Sequence, residues 1–458
     1  MAVTPRSSWQ TRLGFYLVAV GSASGLGNLW RFPYVVGENG GGAFILIYTF
    51  LALTLGSSLV IAELILGKSE KSGIIKVTQM LSQSAGRWSL WLGRASVAMS
   101  LIVLSYYSVI SGWVLYFLTQ FSVSFFSASE LNLNSTHALF ENGWLQFLLS
   151  SAHVLVLIVV VSKELHEGIE KWLHYIVPIF GVLVLFLLYH SFNLSMQSTV
   201  LRFIFYPDFS KLNASSLLQA VGQVLFTLSI GFGTLVTYGS YMREDSSVPV
   251  AGFRVVLIDT VVSLMSVLII YPIAFQASQT STSDPALMFQ VLPRFFNSFS
   301  GGSLFGLVFF LCLYFAALNA SIGLLEVVVS NLKDFTRHLG RMRASWFSGI
   351  VLLILTLIPT LWGAVFKTVS PDEKSIIVHL DGVLVNWILP MIALGISLAF
   401  IKGFANAKKE KYFINTEISS SPKMFTHWVF VLKWLIPLII SFAMGLYIWG
   451  SIYSTHQL

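Results

Sequence analysis

The chain has 458 residues, 55% of them hydrophobic and 10% charged, with a mean hydropathy of +0.78. Soluble domains carry about 25% charged residues, so a soluble fold is excluded and a polytopic membrane protein is implied. The net charge of +7 does not signal nucleic acid, because its distribution follows a membrane topology. With the spans given below, one side holds Arg31, Arg202, Lys211, Arg294, Lys367 and Lys374, and the other holds the remaining 21 of 27 Lys and Arg. That bias places the amino terminus in the cytoplasm.

Windows of about twenty apolar residues mark membrane spans. There are eleven, at about 12–36, 42–67, 88–121, 144–162, 172–190, 216–241, 252–275, 303–332, 346–366, 380–402 and 428–453. The first span is interrupted by Val20-Gly-Ser-Ala-Ser-Gly-Leu-Gly-Asn-Leu-Trp-Arg-Phe-Pro33, with three glycines and two serines within seven residues and Arg31 beyond them. Glycine weakens a helix, and at bilayer depth freed backbone groups persist only where protein or a water-filled cavity satisfies them. Phe226-Thr-Leu-Ser-Ile-Gly-Phe-Gly-Thr234 interrupts the sixth span in the same way. Paired interruptions in corresponding halves point to a transporter site made of discontinuous helices; for either run alone, a small-residue face for close helix packing stays open.

Five spans per half invert the second copy in the membrane, so the expected organisation is a single transmembrane domain. Repeat one covers about 12–190, repeat two about 216–402, and an extra helix about 428–453. Between spans two and three, residues 67–87 read as an amphipathic interfacial segment, and Ser162 to Lys171 as a charged cytoplasmic turn. Outside, Tyr206-Pro-Asp-Phe209 signals a turn and Asp284-Pro285 the cap of a short helix. Asn134, Asn193 and Asn213 begin Asn-x-Ser/Thr triplets. Residues 402–426 read as the main polar cytoplasmic linker, and the carboxyl terminus is expected outside. Cys312 is the single cysteine, in an apolar setting that suits a buried structural thiol. No cleavable signal peptide is apparent, since the first apolar segment is the broken helix itself.

Trp9-Gln-Thr-Arg-Leu-Gly14, Gly25-Leu-Gly-Asn-Leu-Trp-Arg-Phe-Pro33, Glu38-Asn-Gly-Gly-Gly-Ala-Phe44 and Gly222-Gln-Val-Leu-Phe-Thr-Leu-Ser-Ile-Gly-Phe-Gly233 closely resemble the neurotransmitter:sodium symporters. The resemblance is to bacterial amino-acid members with the leucine-transporter fold, and it runs through the whole chain in order. It implies an all-α fold of about eleven transmembrane helices in a 5+5 inverted repeat, with helices one and six broken. It also implies that a substrate carboxylate sits on the amides of Leu26 and Gly27 and on Tyr107, beside Ala23; half-helix amino termini suit anions. Gly25 stands where monoamine-transporting relatives have an aspartate, which suits a zwitterionic amino acid. Val103, Phe226, Ser229, Phe232 and Leu324 would line the side-chain pocket, an apolar wall for a neutral aliphatic or aromatic group.

By the same resemblance the first sodium site maps to the Ala23 carbonyl, Asn28, Thr227 and Asp259. Asp259 replaces a frequent asparagine; a buried carboxylate in a membrane is by default functional, its alternative being a carboxylate facing a water cavity. Chloride-dependent relatives balance this site through residues corresponding to Tyr48, Gln223, Thr227 and Ser263. Asp259 supplies the negative charge here, so chloride is not expected to be required. The second sodium site maps to the carbonyls of Gly21, Ser24 and Ala316, but its hydroxyl pair becomes Asn319-Ala320, which removes one ligand. Arg31 and Asp381 correspond to the outer gate, and Arg6, Trp9, Tyr241 and Asp334 to the inner one. Glu63 matches a glutamate that supports the unwound parts of helices one and six; proton coupling stays open for Glu63 and Glu326.

The reading is sodium-coupled symport of a neutral, hydrophobic amino acid into the cytoplasm by alternating access, from a monomer or homodimer in the lipid of the cell membrane, with no nucleic-acid partner. The alternative is a non-transporting amino-acid sensor on the same fold, which the altered second sodium site favours. An intramembrane enzyme lacks support: no His-Glu-x-x-His or Gly-x-Ser-x-Gly motif is present, and the gate accounts for Asp381-Gly382.

Overall fold

The computed structural model describes residues 8–127, 131, 139–193, 197–276, 285–336, 338–366, 376–414 and 422–455. Arg6, Asn134, Asp284 and the carboxyl-terminal His456 to Leu458 therefore lie outside the described residues.

Every regular element among the described residues is helical. In chain order they are α1 (Arg12–Ala23), α2 (Phe32–Glu38), α3 (Gly42–Glu70), α4 (Ile74–Ala85), α5 (Ser89–Ser127), α6 (Gly143–Ser162), α7 (His166–Ser191), α8 (Gln197–Phe205), α9 (Ser216–Thr227) and α10 (Thr234–Ser240). Then come α11 (Val248–Gln276), α12 (Pro285–Phe296), α13 (Gly302–Phe335), α14 (Arg341–Phe366), α15 (Ile376–Gly403), α16 (Asn406–Ile414) and α17 (Pro422–Phe430, continuing into Ile436–Thr455). Among the described residues nine helices are long and apolar enough to cross a membrane unaided. Two further crossings are split, α1 with α2 and α9 with α10. They are the first and sixth crossings, where glycine and serine interrupt the apolar runs.

Side-chain caps set the helix starts that matter for the site. Thr11 Oγ1 accepts the Gly14 amide at 2.8 Å, so α1 begins at Arg12 with its axis fixed before it reaches the break. Asp208 caps the short turn Phe209–Lys211, where the Tyr206-Pro-Asp-Phe209 signal falls. Pro285 opens α12, as the sequence suggests.

Long helices form the scaffold. The most extensive pairings are α5 with α13 and α6 with α14. α3 and α10 approach almost backbone to backbone: a Cβ built on Gly67 would stand 2.0 Å from Val236 O, and one on Gly239 2.6 Å from Leu64 O. Small residues permit such contact between membrane helices. The segment at 67–87 forms α4, whose buried Ile74, Val77, Thr78, Leu81 and Ala85 pack on α5 and α15.

One expectation changes. The stretch read as a polar linker contains α16, tied down at both ends. Lys409 Nζ donates to Ile401 O (2.9 Å) and Asn406 Oδ1 (3.1 Å), and Phe413 stacks on Trp428 at 4.8 Å. Lysines dominate its composition, yet their stems and two aromatic residues cover apolar surface, which composition alone does not reveal. Cys312 is buried on α13.

Candidate functional site

The site grows out of the two interruptions. In the first, the Gly25 amide bonds to Ala23 O (3.1 Å) and Asn28 Oδ1 (3.1 Å), while the Leu26 amide donates to Tyr107 Oη at 2.7 Å. Neither amide closes the α-helical bond back to Gly21 or Ser22. Residues Gly27–Arg31 then form a π turn before α2 resumes. Gln223 Nε2 donates to Gly27 O (2.9 Å) and Ser266 Oγ to Asn28 O (2.6 Å), so neighbouring helices satisfy the unwound carbonyls.

In the second interruption the chain turns through Ser229, Gly231 and Gly233 at φ of +54°, +84° and +82°. Glycine takes such angles without penalty; Ser229 is the strained member. Glu63 Oε1 accepts the Gly231 amide at 2.8 Å and Phe232 O accepts from Ser100 Oγ at 2.9 Å. Glu63 thus stands under the second break, as the resemblance implies, while among the described residues no bond runs from it to the first break and its Oε2 has no protein partner.

The breaks touch. A Cβ on Gly27 would lie 2.9 Å from the Phe226 ring and 3.2 Å from Thr227 Cγ2. Between them is a cavity lined by Ser22, Ala23, Gly25, Gly27, Asn28, Val103, Tyr107, Phe226, Thr227, Ser229, Phe232, Ala320 and Leu324. Of the expected substrate residues, all but Leu26 line it, and Leu26 reaches it through its bond to Tyr107. Gly25 has no room to spare, since a Cβ there would meet Ala320 Cβ at 2.8 Å and Tyr107 Oη at 2.9 Å.

A compact polar cluster borders the cavity. Asn28 Nδ2 donates to Asp259 Oδ1 (2.6 Å) and Ser263 Oγ (2.8 Å). Tyr48 Oη reaches Asp259 Oδ2 (3.2 Å), Ser263 Oγ (3.1 Å) and Thr227 Oγ1 (3.4 Å). Three residues expected to hold chloride in relatives therefore converge on the Asp259 carboxylate. Gln223, the fourth, instead bridges Gly27 O and the Arg31 guanidinium.

Gly21 and Asn319, both expected at a second sodium site, also meet. A Cβ on Gly21 would lie 3.6 Å from Asn319 Cγ, and Ala316 O faces Gly25. Ser24 Oγ and both carboxamide atoms of Asn319 are buried without a protein hydrogen-bond partner. Buried polar atoms rarely remain so, and the Ser24 and Asn319 oxygens are of the kind a hard cation takes.

Bonds among the described residues bridge both ends of the site. Arg31, 2% exposed, donates through Nε to Asp381 Oδ2 (2.8 Å) and through Nη2 to Asn386 Oδ1 (3.3 Å), 5.6 Å above the Phe226 ring. Tyr106 Oη adds a bond to Asp381 Oδ1 at 3.1 Å. At the other end the Trp9 amide and indole bond to Tyr241 O (2.9 Å) and Tyr238 O (3.2 Å). Asp334 Oδ2 accepts the Gly73 amide at 2.6 Å; its expected partner Arg6 lies outside the described residues.

Arg341 joins Glu326 and Tyr241 at this end without a signal in the sequence. Arg341 holds Glu326 with both terminal nitrogens (3.1 and 2.6 Å), Tyr241 Oη donates to Glu326 Oε1 (2.7 Å), and Arg341 Nε caps Val161 O (2.9 Å). Glu326 is thereby occupied in an ion pair. An arginine opening an apolar span reads as ordinary flanking charge, so no sequence signal singles it out.

A model described as the sodium:neurotransmitter symporter family matches residues 6–127 and 119–444. The chain belongs to this family. Among similar symporter relatives, the uncharacterized sodium-dependent transporter YhdH of Bacillus subtilis is 32% identical over 440 residues, 94% of this chain and 95% of that protein. An uncharacterized sodium-dependent transporter of Haemophilus influenzae is 28% identical, covering 95% of this chain and 96% of its own. The solved structure of MhsT in complex with L-phenylalanine aligns with a TM-score of 0.86 at 32% identity, over 96% of this chain and 99% of that one. Membership makes the chain a multi-pass, sodium-coupled membrane transporter with the leucine-transporter fold.

Proposed function

We propose that this symporter couples sodium entry to the uptake of a neutral amino acid, with the amino terminus and the Trp9 end in the cytoplasm. The observation that carries the reading is that both interrupted helices turn backbone toward one buried cavity bordered by Asp259. The substrate carboxylate takes the Leu26 and Gly27 amides and receives the Tyr107 hydroxyl, which now lies on the Leu26 amide. Its side chain lies among Val103, Phe226, Phe232 and Leu324. The packing around Gly25 supports a zwitterion, since no acidic side chain fits there. Similarity to a transporter solved with L-phenylalanine points the same way.

Sodium takes Ala23 O, Asn28, Thr227 and Asp259, and completes the substrate site electrostatically; cargo and ion each raise the other's affinity. The convergence of Tyr48, Thr227 and Ser263 on Asp259 supports transport without chloride. A second sodium takes Gly21 O, Ser24, Ala316 O and Asn319, weakly because Ala320 offers no oxygen. That loss is the one feature favouring a non-transporting sensor. Proteoliposomes with an imposed sodium gradient, screened against twenty amino acids, separate the readings: a symporter concentrates its substrate only with sodium outside, and a sensor binds without concentrating it. Accumulation of no amino acid under any gradient overturns the symport reading.

A further inference from the structure

The cavity wall is apolar along Val103, Phe226, Phe232, Ala320 and Leu324, while Ser22 places a hydroxyl at its edge away from the Asn28 and Thr227 cluster. Ser22 lines the cavity, is buried, and its Oγ makes no hydrogen bond with a protein group. Just beyond it, Tyr238 Oη and Thr234 Oγ1 are likewise buried and unpartnered. The three belong to α1 and α10 and meet over α13 at Gly323. A Cβ built on Gly323 would stand 2.6 Å from Ser22 Oγ, 2.7 Å from Tyr238 Oη and 3.2 Å from Thr234 Cγ2. Ser22 Oγ and Tyr238 Oη come within each other's reach but outside hydrogen-bonding geometry.

Several other hydroxyls in the membrane helices bond back to their own backbone. Ser100, Ser108, Ser111 and Thr360 each donate back to the carbonyl four residues earlier, which is how a hydroxyl is ordinarily satisfied inside a membrane helix. The Tyr238 ring cannot turn away toward the Trp9 end, because the Trp9 ring meets it edge-on at 5.9 Å and the indole caps Tyr238 O. Ser22 thus presents a buried hydroxyl at one edge of the cavity, with Tyr238 directly behind it, and neither makes a hydrogen bond with a protein group.

We infer that this hydroxyl cluster selects a substrate whose side chain carries its own hydrogen-bonding group, so that the symporter prefers a hydroxylated amino acid to its apolar isostere. The inference rests on the amino-acid reading above. An apolar pocket discriminates weakly against an added hydroxyl, whereas a site whose buried polar groups are left unpaired by the wrong substrate discriminates strongly.

The test uses the full chain in proteoliposomes and two pairs differing only in that group, L-tyrosine against L-phenylalanine and L-threonine against L-valine. The wild type favours the hydroxylated member of at least one pair by about tenfold in sodium-dependent affinity. Ser22→Ala and Tyr238→Phe each bring that ratio to within about threefold of unity. The ratio is read within each protein, and in two variants, so reduced yield of one does not silence the measurement. Ratios near unity for both pairs in the wild type overturn the inference, as when resident water already satisfies the hydroxyls. A preference unchanged in both variants overturns it as well. Sodium-dependent binding of none of the twenty amino acids overturns the amino-acid reading itself, a result distinguishable from either of these.

Discussion

In the proposed mechanism Asp259 sets the charge balance of the site. It is fully buried, and its two oxygens are held by Asn28 and Tyr48. A lone carboxylate at membrane depth is costly unless a cation offsets its desolvation. Asp259→Asn should therefore either abolish uptake or make it depend on chloride, and uptake measured with chloride replaced by gluconate distinguishes these. Wild-type uptake lost in gluconate would contradict the role given to the carboxylate. Ala320→Ser restores a hydroxyl beside Asn319 and should raise apparent sodium affinity several-fold, on the order of one added ligand contact; unchanged affinity and cooperativity of uptake count against a second site there. These residues were legible because charge or amide in an apolar run has few structural uses. Ser22 was not, since a serine in a helix is normally silenced by its own backbone, and only its position over Gly323 sets it apart.

The breaks are elements as much as gaps, and their shape depends on what props them. Glu63 Oε1 receives the Gly231 amide, in a loop that also contains the strained Ser229. Glu63→Ala leaves that buried amide without a partner and should cost about 1–3 kcal/mol, while Glu63→Gln keeps an acceptor and should cost less. Thermal unfolding in detergent, with and without sodium, measures the difference; equal melting of both variants would show that the prop is dispensable. The eleven crossings and both interruptions could be read from hydropathy and glycine, and their boundaries shift by up to six residues. The π turns at Gly27–Arg31, Ala52–Gly56, His166–Glu170 and Leu384–Ile388 could not, because one inserted residue leaves apolar periodicity almost unchanged. α16 was missed for the opposite reason, its lysines masking a short packed face.

At the scale of the whole molecule, buried bonds bridge the two ends among the described residues, Arg31–Asp381 at one and Trp9 with the Glu326–Arg341 pair at the other. Breaking one partner of a buried ion pair costs about 3–5 kcal/mol, close to the roughly 5.5 kcal/mol that inverts a two-state population. Arg341→Ala should open the Trp9 end, raising thiol-reagent access to a cysteine placed at Ser22 and lowering accumulation under a sodium gradient. Cys312 is buried, so the native background is quiet. Access equal to that of the parent would show that the pair only anchors α14. The two split helices also differ in their freedom. α10 is seated on α3 with main chain against main chain at Gly67 and Gly239, leaving no side-chain cushion to slide upon. Those two helices are built to travel as one rigid unit, so a swing that uncovers the cavity from the Trp9 side would fall to α1, with its pivot in the glycine-rich stretch proposed to hold the cargo.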